Sequence, residues 1–556
     1  MTENTSTDIP AASMGSRRCD LIAAILILIA VLLTGAPGIT EGGLGWSDAP
    51  NHTFDGVFVY EFFRNWPLDH AREWAEQFYL RYPALGIIVY YPPGFAVVEA
   101  GLFAIFGVNI AVARATVLVF AFGAGWLMYL LGRRWFDRPT GLLASLLLIT
   151  CPHGLLWMND VMLEWPATFW ILASVWTYEQ YRQAHRPIWA IALAAAIVMA
   201  FMTKQTAGFI LPVLLVQSLL QPDRRKHLLR PSLIASIIVA CAIIGAYILF
   251  SRKYTALPSQ LLRVSFDLTG LAHWPAEILG WPLVPIALLG LLTFIMKPDR
   301  GPRALLLLWF AAWTGFSLSI AAKEPRYLFF SIPPLAFAAV RFGFVSESSE
   351  GSKNTLSWSS AAPRLALLST LVFVQGVLAR SHDTGRLPDH AAAVAKLVDL
   401  GNADLVLIDA VRDGQFIFDV YQNAAARDKI IPLRASKLLY ARAAREKYDY
   451  QQFVDSPEEI VALFNRYGIR YAVIESEYPT TPYADADPPP RKMLRELLAH
   501  DARFALVESW PMKCGDPIWD SVKLQLYEYR DCPPRTHKKI KLSIPAMNRE
   551  VELELP

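Results

Sequence analysis

Residues 110–138 read IAVARATVLVFAFGAGWLMYLLGRRWFDR, a long apolar run that ends in three arginines. Because about 20 consecutive apolar residues cross the hydrocarbon core of a bilayer, the run predicts a membrane-spanning helix. Arginine and lysine in short loops mark the cytoplasmic face of a membrane. The cluster of Arg133, Arg134 and Arg138 therefore predicts that this span ends inside the cell and begins outside it.

The composition of the whole chain agrees with a membrane protein. Of its 556 residues, 54% are hydrophobic and only 18% are charged, which is too apolar for a soluble protein of this size. The basic loops then report topology and not an affinity for nucleic acid. We predict a polytopic α-helical membrane protein with about eleven spans, near residues 20–39, 110–132, 140–157, 164–181, 188–203, 206–220, 231–250, 277–296, 304–322, 327–345 and 362–379.

The first outer loop, residues 40–107, is much longer than a connection requires. Its segment 92–107 is roughly 24 Å long as a helix, which is short for a full crossing, so we expect an interfacial or re-entrant helix on the outer face. Another stretch repeats Ala71, Trp74 and Phe78 at helical spacing and is expected to lie flat on the membrane. Long ordered loops are usually functional, although a packing plug is the structural alternative.

With an odd number of spans and the amino terminus inside the cell, the residues after about 380 lie outside. The chain then has three parts. Residues 1–19 form a cytoplasmic tail, residues 20–380 the transmembrane domain with its outer catalytic loop 40–107, and residues 381–556 a soluble domain on the outer side. In this last domain, short β-rich runs alternate with helix-like stretches, which predicts an α/β fold. The predicted strands are 405–408, 471–474, 504–508 and 524–529, and the predicted helices are 435–447 and 457–467.

Two cysteines, Cys514 and Cys532, lie in the soluble domain. An outer compartment permits a disulfide between them. Two cysteines alone do not decide the matter, so the pairing stays open.

Isolated charged residues gather where spans end on the outer face. A carboxylate can activate an incoming nucleophile, while lysine and arginine can hold a phosphate charge that develops as a bond breaks. In a membrane, this combination indicates transfer from a lipid-borne phosphate. The residues concerned are Asp48, Asp160, Glu164, Lys204, Glu324 and Arg326.

Each of these residues also has a purely structural explanation. Asp48 could cap a helix, since aspartate is favoured at that position. Asp160 or Glu164 could be a solvated turn residue, and Lys204 and Arg326 could reach up to the interface as long basic side chains do. The meeting of acids and bases at one depth favours a site.

The residues resemble, in order along 20–345, the C-type superfamily of integral-membrane glycosyltransferases. The resemblance is strongest to the branch, similar to glycosyltransferase family 39, that contains protein O-mannosyltransferases and lipid A aminoarabinose transferases. The residues that carry it are Asp48 in a long first loop, Tyr90-Tyr91-Pro92-Pro93-Gly94, the turn with Asp160 and Glu164, Thr203-Lys204, and Pro325-Arg326-Tyr327-Leu328 followed by Pro333-Pro334.

The resemblance implies roles for individual residues. The family usually has Asp-Glu where this chain has Asp48-Ala49, so His52 or Asp55 could supply the missing partner. A basic residue beside the Pro-Pro pair is replaced by Tyr90-Tyr91, and either Glu164 or Asp160 matches the second acid of the family. The expected residues are Asp48, Glu164 and Asp160 for catalysis; Lys204, Arg326, Tyr327 and Tyr91 for the donor phosphate; and His52, Asp55 and Glu324 for acceptor binding or support.

The resemblance also implies the reaction. A polyprenyl-phosphate sugar would donate its sugar to a hydroxyl or amine of a protein, lipid or glycan, with inversion and with Asp48 as general base, at the outer face of a bacterial inner membrane. No cofactor is required, although outer carboxylates could hold Mg²⁺ or Mn²⁺. The alternative is a transporter or flippase of lipid-linked sugars, but such proteins carry ionisable groups near the bilayer midplane, and these spans carry almost none.

Overall fold

The computed structural model describes most of the chain. The described residues are 14–45, 48–84, 91–221, 228–252, 273–296, 301–320, 324–343, 388–441, 450–479, 487–514, 517–544 and 549–555, together with six further positions between 366 and 377.

The regular elements of the described residues before 344 are helices. The α-helices are Met14–Gly35, Ala49–Asn65, Ala71–Arg81, Gly94–Phe106, Ile110–Trp135, Arg138–Thr150, Pro152–Met158, Glu164–Ala184, Pro187–Thr203, Ile210–Leu220, Pro231–Ser251, Trp274–Leu279, Leu283–Met296, Pro302–Ser319 and Ile332–Gly343, and the 3-10 helices are Gln205–Phe209 and Pro325–Ser331.

The helices fit the predicted spans unevenly. Within the described residues, three helices are long and apolar enough to cross a bilayer, namely Arg17–Gly35, Ile110–Trp135 and Pro231–Ser251. The predicted span 140–157 is wrong as a single helix: it is two helices that meet at an angle of 63°. The break falls at Pro152, which has no backbone N–H to continue the helix. The count of eleven is not established, and most of the predicted span 362–379 lies outside the described residues.

Basic residues gather at one end of the helix Ile110–Trp135. Arg133 forms an ion pair with Asp20, and Arg138 Nε donates to Asp20 Oδ1 at 3.2 Å. At the other end of this helix, Arg114 binds the chain that follows the first helix. The two long helices therefore run antiparallel, as the charge pattern predicted.

The first outer loop contains a helix that was not predicted, Ala49–Asn65, which begins with Pro50 in its first turn. The helix Ala71–Arg81 packs its rings on it: Trp74 lies 5.2 Å from Phe58 between ring centroids, and Phe78 lies 5.4 Å from Phe58. The neighbouring helix covers these rings only in part, and the expectation that this apolar face lies on the membrane stays a prediction.

The described residues after 388 contain a mixed five-stranded sheet. Its strands are β1 (Leu405–Asp409), β2 (Ile431–Arg434), β5 (Tyr471–Glu475), β6 (Phe504–Pro511) and β7 (Lys523–Tyr529). Their order is β2-β1-β5-β7-β6, in which β1 is parallel to β2 and β5, and β7 is antiparallel to β5 and β6. Two small hairpins pair β3 (Tyr440–Ala441) with β4 (Gln451–Gln452) and β8 (Lys539–Ile544) with β9 (Arg549–Glu554).

Helices cover this sheet. The four predicted strands are confirmed, and so is the helix Pro457–Tyr467. The predicted helix 435–447 is wrong in extent, because only Ala435–Leu438 is helical before strand β3 begins at Tyr440; residues 442–449 lie outside the described residues. The remaining helices are Ala391–Leu400, Asp413–Gln422, Ala424–Arg427, Pro489–His500 and the 3-10 helix Pro517–Trp519.

The sheet domain is docked on the first outer loop. Tyr421 Oη donates to Glu61 at 2.6 Å, and Arg434 Nη1 donates to the Pro83 carbonyl at 2.7 Å. Phe54 also lies 5.9 Å from Phe418 and 6.0 Å from Tyr421 between ring centroids. The loop therefore contributes both polar and aromatic contacts to the interface.

No disulfide joins Cys514 and Cys532 in the structure. The two residues pack with different hydrophobic clusters of the sheet domain, Cys532 with the cluster around Phe464 and Cys514 with the cluster around Val473. This separation explains why they do not pair.

Candidate active site

Asp48 stands at the start of the helix Ala49–Asn65. It occupies the N-cap position, but its side chain makes no capping hydrogen bond. Its Oδ2 instead accepts a hydrogen bond from Arg326 Nη1 at 2.9 Å. The alternative of a helix cap therefore does not explain this aspartate.

Arg326 is positioned by a short 3-10 helix, Pro325–Ser331. The carbonyl of Tyr327 accepts hydrogen bonds from Trp313 Nε1 at 2.5 Å and from Ser317 Oγ at 2.8 Å, which fixes this helix. Glu324 Oε2 lies 2.5 Å from Arg326 Nε, so the guanidinium stands between two carboxylates. The side chains of Arg326 and Asp48 are only 14% and 22% exposed.

A second acid–base pair lies beside the first. Lys204 Nζ donates to Glu164 Oε1 at 2.7 Å, and Glu164 is 1% exposed. The other carboxylate oxygen, Glu164 Oε2, is buried with no hydrogen-bond partner in the part of the chain that the structure describes. Arg326 and Lys204 are both electrostatic neighbours of Glu164 and of Asp48, so the two pairs form one cluster.

The Pro-Pro-Gly segment explains how Lys204 reaches this place. A methyl group on Gly94 would lie 2.7 Å from the backbone carbonyl carbon of Met202. Only glycine permits the helix Gly94–Phe106 to begin against the end of the helix Pro187–Thr203. That contact brings Tyr91 and Lys204 to the same side of the molecule.

Aromatic rings line the cluster. The ring of His52 meets that of Tyr91 edge to face with 4.4 Å between centroids. Arg326 Cζ lies 5.4 Å from the centroid of Tyr327, and Lys204 Nζ lies 5.6 Å from that of Phe330, both within cation–π range. Tyr90 lies outside the described residues.

The charges of the cluster shift its titration. Burial raises the pKa of Asp48, but Arg326, with His52 and Lys204, more than offsets this and holds the pKa below its ordinary value. Burial lowers the pKa of His52 to about 4, although Asp48 opposes the shift. Burial also raises the pKa of Tyr91 well above its ordinary value. At neutral pH, Asp48 is therefore ionised and His52 is neutral.

The structure separates the two acids between which the sequence could not choose. Glu164 belongs to the cluster, whereas Asp160 lies near Gly45, where a methyl group would be 3.2 Å from Asp160 Oδ2. Asp160 Oδ1 accepts from the Val161 amide at 2.9 Å. Asp160 is also the acid that acts most strongly on Arg412 of the sheet domain. It therefore faces the docked domain.

Asp55 is placed away from Asp48. It is buried two turns further along the same helix, about 10 Å along the axis. One of its electrostatic neighbours is Glu99, whose side chain lies against the backbone of Gly56. Of the two residues suggested as partners of Asp48, only His52 is therefore close to it.

Two buried charges of this region were missed. Arg114 donates to the carbonyls of Ile39, Glu41 and Gly43 at 3.1, 2.7 and 2.7 Å. Glu99 is fully buried, and both its carboxylate oxygens lack a hydrogen-bond partner among the described residues. A sequence signal was present in both cases, since each is a single charge within an apolar run.

A metal site would need several acids, histidines or cysteines close together. Within the described ranges, no group of three such side chains is arranged to hold a metal ion. Asp48 and Glu164 are each bound to a base instead. The binding of Mg²⁺ or Mn²⁺ by the carboxylates stays a prediction.

Comparisons with known proteins bear on the fold. A family model described as dolichyl-phosphate-mannose-protein mannosyltransferase matches residues 91–250. By sequence, no curated protein matches the chain. The fold of this chain is that of the C-type integral-membrane glycosyltransferases, which confirms the predicted resemblance.

Three solved structures show this likeness. ArnT from Cupriavidus metallidurans, bound to undecaprenyl phosphate, is 14% identical with a TM-score of 0.57, and the match covers 94% of this chain and 100% of ArnT. The archaeal oligosaccharyltransferase AglB from Archaeoglobus fulgidus, with an inhibitory peptide and a dolichol-phosphate, is 13% identical (TM-score 0.54; 84% of this chain, 70% of AglB). The arabinofuranosyltransferase AftD from Mycobacteria is 13% identical (TM-score 0.54; 95% and 41%).

Proposed function

We propose that this chain is a glycosyltransferase that moves a sugar from a polyprenyl-phosphate donor to a hydroxyl or amine of a protein, lipid or glycan. The observation that carries the proposal is the pairing of Asp48 with Arg326 beside that of Glu164 with Lys204. Two bases next to two acids, in a buried place where helices end, suit a reaction that releases a lipid phosphate.

The comparisons support the donor class. The ArnT structure is described as bound to undecaprenyl phosphate, and the AglB structure as holding a dolichol-phosphate. We place the chain in the inner membrane of a bacterium, with the cluster and the sheet domain on the outer side, because the arginines at the ends of helices mark the opposite face.

In the proposed mechanism, Asp48 is the general base. Its carboxylate accepts the proton of the acceptor O–H or N–H while the acceptor atom forms a bond to the anomeric carbon. The bond from that carbon to the phosphate oxygen breaks, its electron pair stays on the phosphate, and the configuration inverts. Lys204 and Arg326 hold the phosphate anion, so the leaving group needs no proton.

The ion pairs of the resting state must partly exchange for this to happen. A donor phosphate would compete with Asp48 for the guanidinium of Arg326, to which Asp48 is bound at 2.9 Å. With Arg326 turned to the phosphate, the pKa of Asp48 would rise from its lowered value, because Arg326 is the largest influence that lowers it. Asp48 would thus become a stronger base only after the donor has bound.

The remaining residues have supporting parts in this proposal. Glu164 orients Lys204 through Oε1. The second oxygen, Glu164 Oε2, lacks a partner among the described residues and can accept a hydrogen bond from a sugar hydroxyl. Glu324 keeps Arg326 in place when the ion pair between Arg326 and Asp48 breaks. The rings of Tyr91, Tyr327 and neutral His52 line one side of the proposed site for the sugar and the lipid phosphate.

The test measures sugar release from radiolabelled polyprenyl-phosphate sugars by membranes that contain the chain. A panel of donors is given to wild type, to Asp48→Asn and to Asp69→Asn, a matched control in the same loop whose side chain is 85% exposed. Loss of a general base lowers the rate by about 10²- to 10⁴-fold. We expect that loss in Asp48→Asn alone, with the variant still folded because Glu324 continues to pair with Arg326.

The outcomes separate the proposal from transport. Release by wild type and Asp69→Asn but not by Asp48→Asn supports a glycosyltransferase and identifies the donor. If every form binds a donor equally well and none consumes it, the catalytic role of Asp48 is wrong and a transporter of lipid-linked sugars explains the binding better.

A further inference from the structure

The loop that follows strand β1 lies at the carboxyl ends of three parallel strands, β2, β1 and β5. Ligands of open α/β sheets bind beyond this edge. Val411 N donates to Glu475 Oε2 at 2.9 Å, which ties the loop to the end of β5. Arg412 follows, and the helix Asp413–Gln422 begins directly after it.

This edge faces the loop that carries Asp48. The Leu44 amide donates to Gln415 Oε1 at 2.6 Å. A methyl group on Gly414 would lie 2.6 Å from Pro50 Cβ, so the two chain segments are in direct contact. Arg412 therefore lies near the chain segment on both sides of Asp48, although it belongs to another domain.

The arginines of this edge differ in how they are paired. Arg434 binds both oxygens of Asp413 at 2.7 Å, and Arg491 Nε lies 2.8 Å from Asp409. Arg412, in contrast, has two buried nitrogens, Nε and Nη1, with no hydrogen-bond partner among the described residues. Burying a charged group costs free energy that only pairing and hydrogen bonds offset, so proteins rarely keep such a group without a use for it.

The acids near Arg412 do not satisfy these two nitrogens. Burial lowers the pKa of Arg412, and the charges of Asp160 and Glu475 partly offset this. Glu475 is instead bound by Arg491 and by the Val411 amide. Nε and Nη1 of a planar guanidinium thus lie in the interface without an acceptor from the part of the protein that the structure describes.

We propose that Arg412 is an acceptor subsite that binds an anionic group, a carboxylate or a phosphate, of the molecule that receives the sugar. This proposal rests on the proposed function and adds the chemical class of the acceptor. Nε and Nη1 lie on different edges of the planar guanidinium, and each can donate a charge-assisted hydrogen bond to an oxygen of such a group. The hydroxyl or amine to be modified would then lie near Asp48.

Asp160 narrows the class further. Its carboxylate lies near Gly45, between the sheet domain and the segment that leads to Asp48. The negative charge of Asp160 would repel an acceptor that presents only anionic groups at this place. A hydroxyl or ammonium next to the anion can instead donate a hydrogen bond to Asp160. The acceptor group that fits is therefore an anion with a neighbouring hydroxyl or amine, and Asp160 becomes a binding residue of the acceptor and not of the donor.

The first test measures anion binding to the detergent-purified full chain while undecaprenyl phosphate fills the donor site. Binding of undecaprenyl phosphate is read first, because its absence would count against the proposed function itself. Inorganic phosphate and acetate are then titrated separately into wild type, Arg412→Gln and Arg503→Gln, the last being a surface control paired with Asp501. We expect Arg412→Gln alone to weaken binding of at least one anion by about 10-fold or more, the usual effect of losing a charge-assisted hydrogen bond.

The two anions distinguish the sources of the charge. A preference for phosphate indicates a phosphorylated acceptor, and a preference for acetate indicates a uronic acid or acidic residue. Equal binding by wild type and Arg412→Gln overturns the proposal. Arg412→Lys covers the case in which Arg412→Gln does not fold, since it keeps the charge but loses the planar arrangement of donors and should bind more weakly than wild type.

A second measurement uses transfer. With cell-envelope extract as the acceptor source, Arg412→Gln should release sugar to water at the wild-type rate but lose transfer by about the same 10-fold or more. Label that accumulates on an uncharged acceptor, or transfer and hydrolysis that fall together, would contradict an acceptor subsite.

Discussion

Two regions of this molecule bury acids against bases, and they do so differently. In the sheet domain, Arg434 donates hydrogen bonds to both oxygens of Asp413. In the cluster around Asp48, Lys204 binds one oxygen of Glu164 and leaves the other buried and without a partner in the described residues. Both oxygens of Asp413 are therefore bound within the protein, whereas one oxygen of Glu164 can still accept a hydrogen bond from another molecule.

The difference shows how to separate structural ion pairs from a site. Burial is similar in both regions, so burial alone does not distinguish them. What differs is the presence of buried polar atoms that have no hydrogen-bond partner among the described residues. Such atoms cost stability, and a protein keeps them where a ligand can bind to them. Arg412 shows the same property in the sheet domain, which is why it stands apart from Arg434 and Arg491.

The largest effect is expected from breaking the Glu164–Lys204 pair. Removing one partner of a buried pair costs about 3–5 kcal/mol, because the other charge stays buried. Lys204→Met should therefore lower the thermal unfolding temperature of the purified protein strongly, and Glu164→Gln combined with Lys204→Met should recover most of it. An unchanged unfolding temperature in Lys204→Met would mean that this pair is not buried.

A smaller effect comes from Glu475 of the sheet domain. Burial raises the pKa of Glu475 to about 7 from its ordinary value near 4.5. Between these values the folded state binds more protons than the unfolded state, so its stability is full below pH 4.5 and falls as the pH rises to 7. The loss amounts to about 3 kcal/mol, because one pKa unit corresponds to about 1.4 kcal/mol.

Hydrogen exchange of strand β5 in the full chain measures this loss. Wild type should exchange faster at pH 7 than at pH 5 after correction for the intrinsic rate, and Glu475→Gln should remove the difference. The same pH dependence in both proteins would assign it to another group.

Arg114 is expected to affect rate more than binding. It holds three carbonyls of the chain that leads to Asp48, and a lysine ammonium at the end of one flexible stem cannot reproduce that geometry. We expect Arg114→Lys to lower kcat about 10-fold, or ~1.4 kcal/mol, with little change in KM for the donor. Arg134→Lys, at the other end of the same helix, is the matched control, and an equal loss of kcat there would argue against positioning of the loop.

The smallest effect concerns the pH profile. His52 has a pKa of about 4 and Asp48 a pKa below its ordinary value, so neither changes charge between about pH 5 and 8. A plot of kcat/KM for the donor should be flat over this range and fall only at lower pH, where Asp48 is protonated. An inflection near pH 6.5, the ordinary pKa of histidine, that disappears in His52→Gln would show that His52 titrates normally.

The sequence predicted the cluster because of where helices end. Asp48, Glu164, Lys204 and Arg326 each lie at the end of an apolar run on the same side, and ends on one side meet at one depth. The fold class and the four main strands followed from the period of apolar residues. These predictions needed only local patterns and the positive-inside rule.

Other features needed the folded chain. Asp160 and Glu164 are four positions apart, and only the packing of the helix Glu164–Ala184 shows which of them meets Lys204. The helix Ala49–Asn65 is rich in aromatic and β-branched residues, which weakens a helical signal. The contact between Gly414 and Pro50 joins residues that are far apart in the sequence, and no local pattern reports it.

The helix Ala49–Asn65 has a consequence for how this protein could be divided. Its Phe54 packs against Phe418 and Tyr421, and these two residues belong to the hydrophobic cluster of the transmembrane helices and not to those of the sheet. The helix that begins beside Asp48 is thus shared between two folding units. A chimaera that exchanges the sheet domain for that of a relative would therefore need to bring the matching first outer loop with it.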